Sequence, residues 1–137
     1  MYAHALAAGR IADRAREFLS VSLAGVIAPN IASSIPGLVS ERSPFGEMAY
    51  RFTLAHWEQL AGLSGTIGKT WLLPSAASRF NDHERAVRLL ADQRRTAGED
   101  GASPAARIAA RIELLSAVRR RDAASVEKHL ASWLPRD

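Results

Sequence analysis

The 137 residues are 47% hydrophobic and 23% charged, with 18 Lys and Arg against 14 Asp and Glu, a formal net charge of +4 and no cysteine. That size suits a single domain over 1–137 with one core, and that composition lies far from the polar, highly charged balance of disordered chains. Without cysteine neither a disulfide framework nor a thiolate zinc site can form, and a reducing cytoplasm fits best.

Helical periodicity recurs along the chain, and period-two alternation is never sustained, so the expected fold class is all-α: a single antiparallel bundle of about six helices. A first helix is expected from about Ala3 to Ala28, with Ile11, Ala15, Phe18 and Ser22 on one stripe and Leu19, Leu23 and Val26 beside it; Pro29 then bends or stops it. No charge appears between Glu17 and Glu41, but Pro29, Asn30, Pro36 and the serine pair Ser33–Ser34 break the run. It reads as buried helix plus loop, not as a membrane span or a signal peptide. Residues Ser34 to Pro44 carry two prolines, Gly37 and several serines, which is turn chemistry.

Pro44, capped by Ser43, opens a second helix to about Leu63, with Tyr50, Leu54, Trp57 and Ala61 on its apolar stripe and His56 beside it. Ser64 and Gly65 close it. A third helix from about Thr66 carries Ile67, Trp71 and Leu72, and Pro74 interrupts or kinks it before Phe80. Asn81 or Asp82 caps a fourth, bearing Val87, Leu90 and Arg94, and Thr96 to Ser103 is a polar loop.

Ser103 then Pro104 reads as cap and first helical residue of a fifth helix, with Ile108, Ile112, Leu115 and Val118 on one face. The densest basic group, Arg119 to Arg121, falls at its expected end, where cations complement the helix dipole. Asp122 looks like the cap of a sixth helix with Val126, Leu130, Trp133 and Leu134 inward, giving an antiparallel hairpin with a very short turn.

The C-terminal stretch RIELLSAVRRRDAASVEKHLASWL resembles the last helical hairpin of the FCD domain, the effector domain of the FadR subfamily of GntR transcription regulators. Ala117, Val118, Asp122 and Leu134 fall in register with that family's "H-x-x-I-x-x-A-I-x-x-x-D" run and the helix after it. LAHWEQLAGLSGTIGKTWLL is similar to the same family's "F-H-x-x-L-x-x-x-x-G-N" segment, with His56 on the histidine, Leu60 correctly spaced and Gly65 where asparagine is usual. The two blocks cover about a third of the chain.

The resemblance implies a ligand-sensing, dimerising domain that binds a small organic acid or acyl compound in the bundle cavity. Many members hold a divalent metal with one aspartate and three histidines, and those positions fall here on Phe52, His56, Arg111 and Trp133. A lone imidazole is a poor metal site, so no metal and no cofactor is expected, although a shifted site using His56 and His129 is conceivable. Arg111 would instead grip a carboxylate through two parallel hydrogen bonds, with Phe52 and Trp133 as apolar walls. Each also has a plainer reading: Arg111 as a solvent-facing helix residue, His56 as a structural histidine, the tryptophans as core. The family's winged helix-turn-helix has no room before the first expected helix, so DNA contact would be indirect, through a partner.

Nucleophile elbows, phosphate loops, His-Glu-x-x-His pairs and dinucleotide fingerprints do not occur, and the expectation is not an enzyme. Two other classes stay open: a small helical interaction protein with no ligand, and a basic nucleic-acid binder. A cavity lined by Phe52, His56, Arg111 and Trp133 would favour the sensor. A continuous exposed apolar face would favour the interaction protein, and Arg119 to Arg121 joined with Arg10 and Arg14 in one patch would favour nucleic acid.

Overall fold

The computed structural model describes residues 2–99 and 102–133; side chains are described outside 2–9, 102 and 103. Among them every regular element is helical: α1 Tyr2–Val21, α2 Pro29–Arg42, α3 Gly46–Ala55, α4 Trp57–Gly68, a 3-10 turn Lys69–Trp71, α5 Leu72–Ala76, α6 His83–Ala97 and α7 Ala102–Trp133. No described helix is long and apolar enough to cross a membrane.

The first helix ends well before Ala28. Ser22 donates its hydroxyl to the Leu19 carbonyl, and Gly25 turns the chain at φ 72°, a region in which a side chain would be strained. Pro29 therefore starts a helix, at the first turn where its missing N–H costs nothing. The expected loop from Ser34 to Pro44 is mostly helix up to Arg42, with Pro36 inside it. The serines that suggested a turn satisfy their hydroxyls within helical backbone: Ser33 donates to the Asn30 carbonyl, Ser34 to Ile31 and Ser43 to Val39. Buried Ser40 reaches the Ala76 carbonyl at 2.7 Å, tying α2 to α5. Small residues make that approach possible, since a Cβ on Gly37 would lie 3.0 Å from the Ser75 Cβ.

The second expected helix is two. His56, at φ −115° and ψ 27°, separates α3 from α4, so Tyr50 and Trp57 are both buried but on different helices. Gly65 breaks the α4 path at φ 69°, where closure was expected. Pro74 does not interrupt α5, because it is the third residue of that helix and its nitrogen lies in the first turn, before intrahelical bonding begins. Asp82 caps α6, accepting the Arg85 N–H at 3.0 Å. Thr96 still belongs to α6, and Gly98 follows its end at φ 68°. The cap expected at Ser103 and the inward Leu134 lie outside the described side chains.

Two hydrophobic clusters hold the bundle. Leu60, Leu72, Leu73, Phe80, Leu89 and Ile112 belong to the larger, and Leu19, Ile35, Val39 and Ala49 form the smaller. Phe52 packs against both.

The largest departure from expectation is at the C-terminal end. The expected hairpin of helices five and six is one helix of 32 residues, and Asp122 lies inside it rather than at a cap. The run Arg119–Asp122 contains neither Gly nor Pro, and nothing else there breaks the hydrogen-bond ladder. At 1.5 Å per residue α7 is about 48 Å long against about 22 Å for the 15-residue α6 beneath it. Every residue from 117 to 133 is consequently exposed.

Candidate functional site

The four positions singled out by the sequence do not meet within one copy of the chain. The rings of Phe52 and His56 are in tilted contact, centroids 4.5 Å apart and planes at 47°, at the α3–α4 break. With Phe52 bridging the two clusters, this pair is part of the packing. Arg111 lies on α7 and lines a groove beside α2 and α5. Trp133 is 22 residues further along the same helix, about 33 Å away, and is 76% exposed, its indole N–H donating to the His129 ring at 3.2 Å. One ligand cannot touch Arg111 and Trp133 of the same copy. His56 and His129 are likewise on separate elements, and no group of three metal-ligating side chains gathers among the described residues.

Two surface features involve residues that the sequence singled out, but in surroundings it did not foresee. The first is the groove at Arg111, about 650 Å³, within the usual range for ligand pockets. Its cations are Arg79 and Arg111, its apolar surface comes from Leu38, Trp71 and Ile108, and Ser78 stands between. Arg79 reaches only the Glu41 backbone carbonyl, at 3.5 Å, and Arg111 has no carboxylate within ion-pair distance among the described residues. The Ser78 hydroxyl is buried without a hydrogen-bond partner. Signals for this groove were weak in sequence, because Ser78 and Arg79 come from the turn after α5 and meet Arg111 through tertiary packing.

The second is the surface along α7 itself. Ser78, Arg79 and Arg111 also border a shallower trough of about 730 Å³ whose other side is Leu115, Val118, Arg119, Asp122 and Val126. The groove and the trough are thus continuous, and the helical stripe that lines them runs on through Leu130 to Trp133. Leu115 is 40%, Val126 57% and Leu130 59% exposed. Arg119 makes one long hydrogen bond, 3.3 Å to Asn81.

A third polar cluster is structural. Glu47 accepts a bidentate pair from Arg88 at 2.9 and 2.8 Å and a further bond from Arg51 at 3.0 Å. Arg88 lies over the Tyr50 ring at 4.7 Å, and the Tyr50 hydroxyl donates to buried Asp92 at 2.8 Å. These contacts clamp α3 to α6. The Arg88 hydrogen bond outweighs burial and holds the Glu47 carboxyl below its ordinary value of 4.5, while burial and the Asp92 carboxylate push the Tyr50 phenol far up. A folded-state value below the unfolded one means that ionised Glu47 stabilises the fold above the unfolded value and loses that contribution as pH falls through the folded one. Glu47→Gln is expected to cost about 1–2 kcal/mol at pH 7. In urea titrations the gap from the parent chain should close below pH 4.5; a constant gap down to pH 3 would contradict the clamp.

No known protein family, curated protein or solved structure matches the chain. Expectations taken from the FCD resemblance therefore rest on sequence pattern alone, and the C-terminal block that carried most of it is a single helix rather than a hairpin.

Proposed function

We propose that this chain is a self-associating helical module of the cytoplasm, binding rather than catalytic in role, whose docking element is the overhang of α7. The observation that supports this reading is the exposed run from Ala117 to Trp133, which carries an apolar stripe beyond the body of the bundle. An isolated helix of about 17 residues is marginal in water, so such a segment gains most from a partner that covers its stripe.

A second copy of the chain fits the chemistry. Two α7 helices running antiparallel and crossing between Arg120 and Arg121 would set Arg119 of each opposite Asp122 of the other, with two ion pairs at the centre. The same register places Leu115 against Val126 and Ile108 against Trp133 of the second copy, so each overhang lies in the other's trough. This is the isologous arrangement of a twofold dimer. Sedimentation of the wild type should give a dimer, and Val126→Asp with Leu130→Asp should give a monomer that melts as a compact body. A wild type that stays monomeric up to its solubility limit would refute self-association and leave the stripe to a different protein.

The effector-binding reading, in which the chain is the sensing domain of a GntR-type regulator and meets DNA only through a partner, is favoured by one observation: the groove at Arg111. A nucleic-acid reading gains less, because Arg119 turns into the trough toward Asn81 rather than joining a basic face.

A further inference from the structure

We propose that the groove between α2, α5 and α7 is a binding site for a carboxylate with an apolar body, a fatty or aromatic acid, held by Arg79 and Arg111. This deepens the effector-binding reading and rests on it, but it places the ligand where none of Phe52, His56 or Trp133 of the same copy contributes.

Three independent properties of the groove point to that chemistry. Its two guanidinium groups have no carboxylate partner among the described residues, and a guanidinium retains its charge and offers parallel N–H donors matched to a carboxylate. The Ser78 hydroxyl, at a residue of the same wall, is out of solvent contact and unpartnered, although buried hydroxyls ordinarily find a partner; a turn about its side-chain bond toward the groove would let a ligand oxygen supply one. Leu38 and Trp71 remain 39% and 38% exposed beside these polar groups, giving an apolar bed to one side of the cations. A small inorganic anion would use the charges but leave that bed uncovered. An acid with an alkyl or aryl body uses both.

Glu41, also a groove residue, sets a limit on ligand charge. With two cations and one anion at the rim, the site favours a monoanion over a dianion. Because the groove runs into the trough along α7, a bound acid would sit next to the proposed seam between copies. Ligand and assembly would then share Arg79 and Arg111, which border both the groove and the trough.

The test is isothermal titration with octanoate, benzoate and inorganic phosphate, on the wild type, on Arg111→Ala, on Arg79→Ala, and on the Val126→Asp, Leu130→Asp chain. Saturable binding of octanoate or benzoate, weakened about tenfold or more by each arginine substitution, is the expected result. Phosphate should bind more weakly than either acid. Equal responses to all three anions, or acid binding that survives both arginine substitutions, would overturn the proposal. So would no heat from either acid with a wild type that circular dichroism shows to be folded. Saturable binding retained by the Val126→Asp, Leu130→Asp chain separates this site from self-association, and the two proposals therefore fail by different readings.

Discussion

Replacing Leu73 with alanine is expected to lower the unfolding free energy by about 2–5 kcal/mol, among the largest effects any single truncation should have here. Leu73 is fully buried on α5, a helix of five residues that touches α2, α3, α4, α6 and α7. So short a helix has almost no stability of its own; it is held by the side chains it inserts between its neighbours. Removing those methyl groups leaves a cavity at a point where five helices converge, and Pro74 with the Ser40 bond to Ala76 restrains the backbone from collapsing into it. Urea titration followed by circular dichroism should show a lower midpoint with an unchanged slope. Leu115→Ala, at a residue 40% exposed, should change stability by less than about 1 kcal/mol. Equal costs at the two positions would mean that α5 is not the keystone of the core.

The second large effect is expected from Ala123→Pro. In a hairpin with Asp122 as the cap, residue 123 would be the first of a new helix, where proline is favoured. In one continuous α7, proline at 123 removes the hydrogen bond to the Arg119 carbonyl and its ring clashes with that turn, costing about 3 kcal/mol of local helix stability. Far-ultraviolet circular dichroism should lose the helicity of the overhang, and dimer dissociation should rise on the order of a hundredfold. Since the overhang is exposed throughout and its one bond to the bundle body among the described residues is that of Arg119 to Asn81, the melting of the bundle body should hardly move. Unchanged helicity would instead favour the turn at residue 122.

How the chain reads as a sequence differs sharply between its parts. The all-helical class followed from periodicity alone, and the cap of α6 was narrowed to Asn81 or Asp82 because capping is a local event between a side-chain oxygen and an N–H three residues on. Pro29, Pro36 and Pro74 were harder. Each reads in the sequence as an interruption, yet Pro29 and Pro74 sit in first turns where the missing donor is harmless, and Pro36 lies buried within α2. Serines misled for a related reason: the same hydroxyl that closes a turn can bond back to a helical carbonyl, and only the packing of α2 on α5 decides which. At the candidate site, Arg111 stood out only through the FCD resemblance, since by itself it reads as a solvent-facing helix arginine, and its neighbours Ser78 and Arg79 did not stand out at all, being over thirty residues away. The hairpin expectation failed at Asp122 because a good capping residue is also tolerated inside a helix when no glycine or proline follows to break it.

The placement of the three tryptophans gives the molecule its own set of optical reporters. Trp57 is 9% exposed in the larger core cluster, Trp71 is 38% exposed at the groove, and Trp133 is 76% exposed near the end of the overhang. Emission shifts with the polarity around the indole, so chains keeping one tryptophan at a time would read three events separately. A blue component from Trp57 would follow unfolding of the body, quenching at Trp71 would follow entry of a ligand, and a blue shift at Trp133 on concentration would follow its removal from water by a second copy.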